Sequence, residues 1–464
     1  MENNAPDYRK ELFYQQKNGY DLIDTEERIL VNQYAEEYKA YLDAARTERE
    51  CVNLSIQLAE EKGFVEYQPG MTMQPGTKIY YNNRGKSLIL AVMGEKPLSE
   101  GCVIAGAHVD APRLDLKPVP LMEQDEMSFF RTHYYGGIKK YQWVAIPLEL
   151  HGVVVLKNGE TVEVTIGREA EDPQFVITDL PPHLGADQSK KTLGEAFTGE
   201  GLKIFIGSIP YAVDGADRVK LAVMSILNDC YGITEEDFLS AELSAVPALE
   251  VRDIGLDRSM IGGYGHDDRS CAFAELKAIL ELEIPSRTAV CILADKEEIG
   301  SDGVTGMLSQ AFDTFMEDLC AEQNIPLRRC FEKSFCISAD VCNGYDPLYP
   351  EVSEKANNAK MNYGVGICKY TGSRGKSGTS DASAETVAYL RHIFAENGVV
   401  WQMAELGKVD QGGGGTIAKY MANRNIETID AGVPVLSMHA PFEVVSKFDC
   451  YMTYKGVLQC YLKG

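Results

Sequence analysis

The stretch TAVCILADKEEIGSDG (residues 288–303) indicates both the fold class and the chemistry of this chain. Its first half is almost entirely apolar, which is typical of a strand covered on both faces in an α/β sheet. Two adjacent glutamates, Glu297 and Glu298, follow that strand directly. Neighbouring carboxylates repel each other unless a cation lies nearby, so the pair is more specific than a single acid. The alternative for the pair is an exposed acidic turn.

Predicted strands and helices alternate through the C-terminal half of the chain. Residues 334–341 and 434–440 have the pattern of strands, whereas residues 267–283, 306–324 and 380–398 have the pattern of helices. This alternation predicts an α/β fold, a mixed sheet with helices on both faces. In such sheets ligands bind beyond the carboxyl ends of the strands.

Residues of the metal-ligand type stand at the ends of other predicted strands or at the start of a helix. The stretches are AGAHVDAPRLD (105–115), YGHDDRSC (264–271), ISADVCNG (337–344) and LSMHAPFE (436–443). With the acidic pair they supply the candidate ligands His108, Asp267, Glu298, Asp340 and His439.

Two histidines and three carboxylates form a donor set suited to zinc-like divalent ions. Each residue alone has another explanation, such as a helix cap, a local hydrogen bond or a satisfied polar group. Together at the edge of one sheet they predict a two-metal hydrolase, in which Glu297 is left over as a general base.

Two aspartates have more specific expectations. Asp110 lies two residues after His108 in an extended run, so both side chains point to the same side. We therefore expect Asp110 to orient the His108 ring from outside the ligand set. Asp267 could bridge two ions through its two oxygens, or could cap the helix that follows it.

The region between the first two candidate ligand stretches has a different character. Asn158-Gly159 lies between two apolar runs and predicts a β-hairpin, because this dipeptide favours a type I′ turn. Several further short strands are expected, and the region contains none of the five candidate ligands. We therefore expect a β-rich domain at residues 117–251, inserted into a catalytic domain formed by residues 1–116 and 252–464.

The first hundred residues predict helices followed by strands. Thr47 and Glu50 form a capping box before a helix that ends near Gly63. Residues 78–83 and 86–94 predict a hairpin of two strands. Near the other end of the chain, VDQGGGGTIA (409–418) lacks the lysine and spacing of a phosphate loop, so we expect an active-site loop there.

Composition excludes several classes of partner. The 464 residues carry 45 basic and 69 acidic side chains, and the net charge of −24 argues against nucleic acid and anionic membranes as partners. No signal peptide is evident at the start, and no stretch approaches the ~20 apolar residues that span a bilayer. The 12 cysteines form no C-x-x-C pair, so we expect reduced thiols in a cytoplasmic protein.

The chain resembles the M18 aminopeptidases along essentially its whole length. The motifs that carry the resemblance are GAHVDAPRLDLKP (106–118), HDDRSC (266–271), DKEEIGSDG (295–303), SADVCNGYDP (338–347) and LSMHAPFE (436–443). The resemblance implies a zinc-exopeptidase-like catalytic domain with an inserted dimerisation domain. It also implies dimers that assemble into a dodecamer.

The resemblance further implies roles for individual residues. Two ions, most simply Zn²⁺ with Co²⁺ or Mn²⁺ as alternatives, would bind one to His108, Asp267 and Asp340 and the other to Asp267, Glu298 and His439. Glu297 would be the general base, and Asp110 the acid behind His108. His183, in PPHLGAD (181–187), would enter the active site of a neighbouring subunit.

The predicted function is that of a metal-dependent aminopeptidase acting on short peptides with a free N-terminus. A related dimetal deacylase or carboxypeptidase, and a non-catalytic metal-binding scaffold, are the alternatives. The chain departs from the aspartyl branch of the family in YYGGIKKYQW (134–143) and at Asp268, where that branch has Asn. A strict preference for acidic N-terminal residues is therefore not predicted.

Overall fold

A computed structural model describes residues 8–464 of the chain. Residues 1–7, which belong to the predicted segment 1–116, therefore lie outside the described residues. They are also the start of the region in which no signal peptide is evident. The helices, numbered in chain order, are α1 Arg9–Leu12, α2 Thr25–Ala44, α3 Glu48–Glu61, α4 Leu193–Ala196, α5 Arg218–Tyr231, α6 His266–Leu280, α7 Ala311–Glu322, α8 Leu327–Lys333, α9 Ala384–Glu396, α10 Ala418–Ala422 and α11 Lys447–Lys463.

The strands build three larger sheets and one two-stranded ladder. In chain order they are β1 Val65–Glu66, β2 Lys78–Asn83, β3 Ser87–Val92, β4 Val103–His108, β5 Arg113–Gln124, β6 Met127–Tyr135, β7 Leu148–Val155, β8 Thr161–Ile166, β9 Lys203–Gly207, β10 Ala241–Pro247, β11 Arg252–Ile254, β12 Met260–Gly263, β13 Ala289–Ala294, β14 Phe335–Ser338, β15 Cys342–Asn343, β16 Val365–Cys368, β17 Gly372–Ser373, β18 Trp401–Met403, β19 Gly413–Gly414, β20 Glu427–Gly432, β21 Pro434–Leu436 and β22 Glu443–Ser446.

The largest sheet has nine strands in the order β1-β2-β3-β13-β4-β14-β20-β16-β18. Its centre, β13-β4-β14-β20, is parallel, whereas β3 and β16 pair antiparallel to that centre. Because successive side chains of a strand face opposite sides, each central strand contributes to two cores. In β4, Val103 and Ala105 pack into one core and Ile104 packs into the other.

Helices cover both faces of this sheet, as the alternating pattern predicted. The first core contains buried side chains of α2, α3, α6, α9 and α11, and the second contains those of α7 and α8. The predicted fold class, a mixed α/β sheet with helices on both faces, is confirmed. The predicted helix at 306–324 is shorter in the structure, because α7 begins only at Ala311.

Local predictions near the N-terminus are also confirmed. Thr47 and Glu50 form the expected capping box at the start of α3. Strands β2 and β3 form the expected antiparallel hairpin. Farther along the chain, β7 and β8 form the second predicted hairpin, with Gly159 at a φ of +88° in its turn.

The second sheet is antiparallel and has six strands in the order β8-β7-β10-β5-β6-β9. It spans residues 113–247 and has its own apolar core, which includes Trp143, Phe130 and Leu243. The predicted boundary at residue 117 falls inside β5, since that strand already begins at Arg113.

The prediction that all ligand-bearing strands share one sheet is wrong. The strand before His439, β21, belongs to a separate five-stranded sheet with the order β11-β12-β22-β21-β15. The strand that enters the large sheet next to β14 is β20, immediately before β21 in sequence. Only Val433 separates β20 from β21, and the strand predicted at 434–440 corresponds to β21, whereas β20 was not predicted.

No helix within residues 8–464 is both long and apolar enough to cross a bilayer.

His151 connects the six-stranded sheet to α3. Its side chain is 2% exposed, with Nδ1 at 2.7 Å from Glu50 Oε1 and Nε2 at 3.3 Å from Glu149 Oε1. Burial alone would lower the pKa of His151, but these two carboxylates outweigh burial and raise the pKa to about 9. A protonated His151, paired with Glu50 and Glu149, therefore stabilises the contact between the six-stranded sheet and α3.

This stabilisation should depend on pH. Because the pKa of His151 in the folded chain, about 9, exceeds the ordinary value of about 6.5, the contribution is fully present below about pH 6.5 and is lost as the pH rises through about 9. We expect His151→Gln to unfold at a lower urea concentration than the wild type at about pH 6, with a difference of up to roughly 3 kcal/mol. The difference should shrink at about pH 9.5.

The matched control is His392→Gln, because the side chain of His392 is 71% exposed on the surface. The control should show no more than a small effect at either pH. A destabilisation by His151→Gln that stayed the same at both pH values would contradict the predicted protonation.

Candidate metal centre

The structure brings all five predicted ligand residues together in two groups that share Asp267. The first group is His108, Asp267 and Asp340, and the second is Asp267, Glu298 and His439. Within each group the ligand-type atoms lie within 4.8 Å of one another. These are the same two groups that the resemblance implied.

The two oxygens of Asp267 face opposite histidines. Its Oδ1 lies 3.2 Å from His108 Nε2, and its Oδ2 lies 3.2 Å from His439 Nε2. Glu298 Oε2 lies 3.5 Å from the same nitrogen of His439. One carboxylate can therefore contribute an oxygen to each of two neighbouring ions.

The parallel centre of the large sheet positions three of the ligand-bearing segments. His108 is the last residue of β4, Glu298 lies in the turn after β13, and Asp340 lies two residues after β14. These strands are direct neighbours and run the same way, so their carboxyl ends meet at one edge. Asp267 enters from the start of α6, where its backbone is not yet helical.

The chemistry of the donors fits divalent cations. Burial and the neighbouring carboxylate of Asp267 hold the pKa of Glu298 well above its ordinary value, and burial with Asp268 does the same for Asp340. Glu298 Oε1 is buried and has no hydrogen-bond partner. Burial would lower the pKa of His439, but the surrounding carboxylates raise it to about 10. A site with this excess of buried negative charge calls for cations.

Asp110 lies behind the first group, as its spacing from His108 predicted. Its carboxylate is fully buried, with Oδ1 at 3.3 Å from His108 Nδ1, and the backbone carbonyl oxygen of Asp110 lies closer to the same nitrogen, at 2.9 Å. The same carboxylate accepts hydrogen bonds from the backbone N–H groups of Glu297 and Glu298, each at 3.2 Å. Burial opposes ionisation of Asp110, but His108, the Tyr135 hydroxyl and the charge of Arg113 outweigh burial and lower the pKa of Asp110. Asp110 thus fixes both the imidazole and the acidic turn.

Glu297 stands beside the two groups and belongs to neither. Its Oε2 lies 3.9 Å from His108 Nε2. Burial raises the pKa of Glu297 to about 7. A carboxylate in this position can exchange a proton with a molecule held between the two groups.

Glu443 was missed by sequence reasoning. Its buried carboxylate accepts hydrogen bonds from the backbone N–H of Asp267 at 3.0 Å and of His439 at 2.7 Å. It therefore clamps two ligand segments that are far apart in the sequence. The available signal was its place in the apolar run after His439, where a buried glutamate needs partners.

Two histidines outside the ligand groups have very different surroundings. His183 lies in an exposed turn, Pro182–Leu184, and is not part of either ligand group or of the cavity beside them. His266 is the first residue of α6 and is fully buried, with Nδ1 at 2.7 Å from Tyr38 Oη. Burial lowers the pKa of His266 to about 3.

A cavity of about 680 Å³ opens beside the two groups. Its wall includes Gly413, Gly414 and Gly415, so the glycine-rich stretch does line the site. Strand β19 within that stretch pairs with β17, whose residues also line the cavity. Tyr370 and Met438 add apolar surface.

This fold and this donor set define a metal-dependent hydrolase. A family model described as aminopeptidase I zinc metalloprotease (M18) matches residues 41–461. The chain is 47% identical over 456 residues to a probable M18 family aminopeptidase 1 of Clostridium acetobutylicum, which covers 96% of this chain and 98% of that protein.

Solved structures agree with the sequence comparison. The M18 family aminopeptidase of Thermotoga maritima matches with a TM-score of 0.93 and 42% identity, covering 97% of this chain and 100% of that chain. The S. cerevisiae mApe1 dodecamer shares the fold, with a TM-score of 0.75 at 20% identity over 92% of this chain and 95% of that chain.

The chain therefore belongs to the M18 family of zinc aminopeptidases. It is a metallo-aminopeptidase, a hydrolase that acts on peptides. The family and the enzyme class that the motifs predicted are confirmed.

Proposed function

We propose that this chain removes the N-terminal residue of short peptides at a centre of two divalent ions. The observation that carries the proposal is the sharing of Asp267 between the two ligand groups, with one oxygen facing each histidine. His108, Asp267 and Asp340 would hold one ion, and Asp267, Glu298 and His439 the other. Zinc is the ion that the family description favours, with cobalt and manganese as alternatives.

The protein groups around the scissile bond have distinct tasks. When bound, the ions supply Lewis-acid polarisation of the carbonyl and acidification of water. Glu297 would take the proton of the attacking water at a carboxylate oxygen and pass it to the leaving amine. Asp110 holds the backbone of Glu297 in place, so the carboxylate keeps its direction toward the site.

The preference for a free amino terminus over a free carboxyl terminus follows from the family, whose relatives are aminopeptidases. The carboxylates of Asp267, Glu298 and Asp340 in the cavity wall would be neutralised by the ions that they hold, so they are not assigned to recognition of the ammonium group. The family membership distinguishes the proposal from a carboxypeptidase.

The cysteines bear on the compartment. All 12 are unpaired within residues 8–464, and 11 of them are buried. We infer a reducing environment, and hence the cytoplasm, as the place of action.

The first test is an assay of the purified chain on amino-acid p-nitroanilides, with and without an N-acetyl group. We expect release of p-nitroaniline from the free amines and none from the acetylated compounds, because the free ammonium is part of the recognition. Removal of metal by a strong chelator should abolish activity, and zinc, cobalt or manganese should restore it.

Metal analysis of the active enzyme decides the number of ions. Two ions per chain are expected from the two ligand groups. Full activity with a single ion per chain would contradict the two-ion centre, and release of acetate from the acetylated compounds would instead favour a deacylase.

The second test separates the two adjacent glutamates. Glu297→Gln should lower kcat by ~10²–10⁴-fold and leave both ions bound, because the proton acceptor is lost and the ligands remain. Glu298→Gln should lower metal occupancy instead. Asp302→Asn, an exposed acid in the same loop, is the matched control and should behave like the wild type. Wild-type turnover in Glu297→Gln would exclude Glu297 as the base.

We further propose that subunits share the active site through the β-rich domain predicted at 117–251. His183 is exposed and has exposed apolar neighbours, with Leu180 51% and Leu184 72% exposed. Exposed apolar patches mark contact surfaces between proteins. The proposal is a dimer through this domain, assembled into a dodecamer like the yeast neighbour, in which His183 reaches the cavity of another subunit and donates a hydrogen bond to the carbonyl oxygen that gains charge.

The third test uses mixed oligomers. His183→Ala should lower kcat by ~10²–10³-fold with metal content unchanged, as for other donors to a developing oxyanion. His392→Ala, an exposed histidine elsewhere, is the control. When inactive His183→Ala and inactive Glu297→Gln subunits are exchanged, some sites combine an intact half from each, so activity should return. Confirmed subunit exchange without any return of activity would refute the shared site.

A further inference from the structure

The six-stranded sheet touches the metal centre through three consecutive residues. These are Tyr135, the last residue of β6, and Gly136 and Gly137, which follow it. They belong to the stretch YYGG (134–137), to which the proposed function gives no task. Each of the three contacts a different part of the two ligand groups or of their support.

The hydroxyl of Tyr135 holds Asp110. It donates a hydrogen bond to Asp110 Oδ2 at 2.7 Å, and that carboxylate supports His108 and the turn of Glu297 and Glu298. Asp110 is fully buried, so no solvent is at hand to replace a lost donor. Without the hydroxyl, Asp110 Oδ2 would keep only the longer hydrogen bond from the backbone N–H of Glu298, at 3.2 Å, and the carboxylate is expected to shift after losing its shortest hydrogen bond.

The ring of Tyr135 is itself fixed. The guanidinium of Arg113 lies over it at 4.0 Å from the ring centre. Arg113 is in turn held by Glu48 at 3.0 Å and by Asp115 at 2.8 Å. The hydroxyl therefore has a defined position with respect to the β5–β6 hairpin, and it transmits that position to Asp110.

The two glycines bring the same segment against the second ligand group. The carbonyl oxygen of Gly137 lies 2.8 Å from His439 Nδ1, and a hydrogen bond there leaves Nε2 directed at Asp267 and Glu298. A Cβ added at Gly136 would lie 3.1 Å from Glu298 Oε2, so the backbone is packed directly against a ligand.

We propose that Tyr135 is a positioning residue for the metal centre, and that the six-stranded sheet thereby forms part of the support of both ligand groups. The inference rests on the proposed two-ion function. Tyr135 acts through Asp110: with its hydroxyl in place, His108 and the Glu297–Glu298 turn stay in the geometry that binds the ions. Outer partners of metal ligands commonly contribute 10–100-fold to metal affinity.

The test is Tyr135→Phe, which keeps the ring under Arg113 and removes only the hydroxyl. Zinc affinity is measured by competition with a chromophoric chelator, and kcat and KM are measured at saturating zinc. We expect zinc affinity to fall by about 10–100-fold and kcat to fall with little change in KM. Tyr134→Phe is the matched control, because Tyr134 is adjacent and 41% exposed, and it should stay within about twofold of the wild type.

A second pair of variants shows whether the effect passes through Asp110. In an Asp110→Asn background, Tyr135→Phe should cause little additional loss of zinc affinity, because residues that act through one another are not additive. Additive losses in the double variant would overturn the proposal. Zinc affinity of Tyr135→Phe within about twofold of the wild type would also overturn it, even if the variant melts earlier. The zinc measurement does not depend on turnover, so a chain without aminopeptidase activity would refute the proposed function and leave this comparison readable.

Discussion

Buried negative charge at the carboxyl edge of the large sheet is the constraint on which the rest of the structure depends. Asp110, Asp267, Glu298 and Asp340 all lie at this edge, within the reach of two histidines. Carboxylates removed from water are strongly destabilising unless cations and hydrogen-bond donors compensate them. The site is therefore as much a stability problem as a catalytic arrangement. The free energy of binding ions there would also stabilise the folded chain, because the intact donor set exists only when the chain is folded.

Two carboxylates outside the ligand groups hold the backbone of the segments that carry the candidate ligands. Asp110 accepts two backbone N–H groups of the turn after β13, and Glu443 accepts those of Asp267 and His439. Each thereby fixes the backbone of two functional residues and adds no ligand of its own. His439 has a φ of +65°, in the left-handed region that a residue with a side chain rarely adopts. The hydrogen bond from its N–H to Glu443 helps to hold that conformation.

Sequence reasoning identified the candidate ligands that the structure brings together better than it identified the residues that support them, and the reason is physical. His108 and Asp340 follow apolar runs, and a polar residue at the end of a buried strand is a local signal. His439 was assigned to the wrong sheet, because the apolar pattern of residues 434–440 predicts a strand but does not show with which strands it pairs. Glu443 and Tyr135 support residues that are distant in sequence. Their roles depend on tertiary contacts, which the periodicity and spacing of residues in the sequence do not reveal.

The position of the six-stranded sheet within the chain explains why it can support the metal centre. The chain leaves the large sheet at His108, passes through the six-stranded sheet and returns at α6. There Asp267 Oδ1 lies 3.2 Å from His108 Nε2. The entering strand β5 and the leaving strand β10 are neighbours, with Leu114 paired to Ala245. This pairing brings together the two ends of the segment that forms the six-stranded sheet. The distance between His108 and Asp267 is therefore well defined, although the two residues are far apart in the sequence. Since β6 pairs with the other edge of β5, opposite Arg113, Tyr135 at its end lies beside Asp110 at the same end of the sheet.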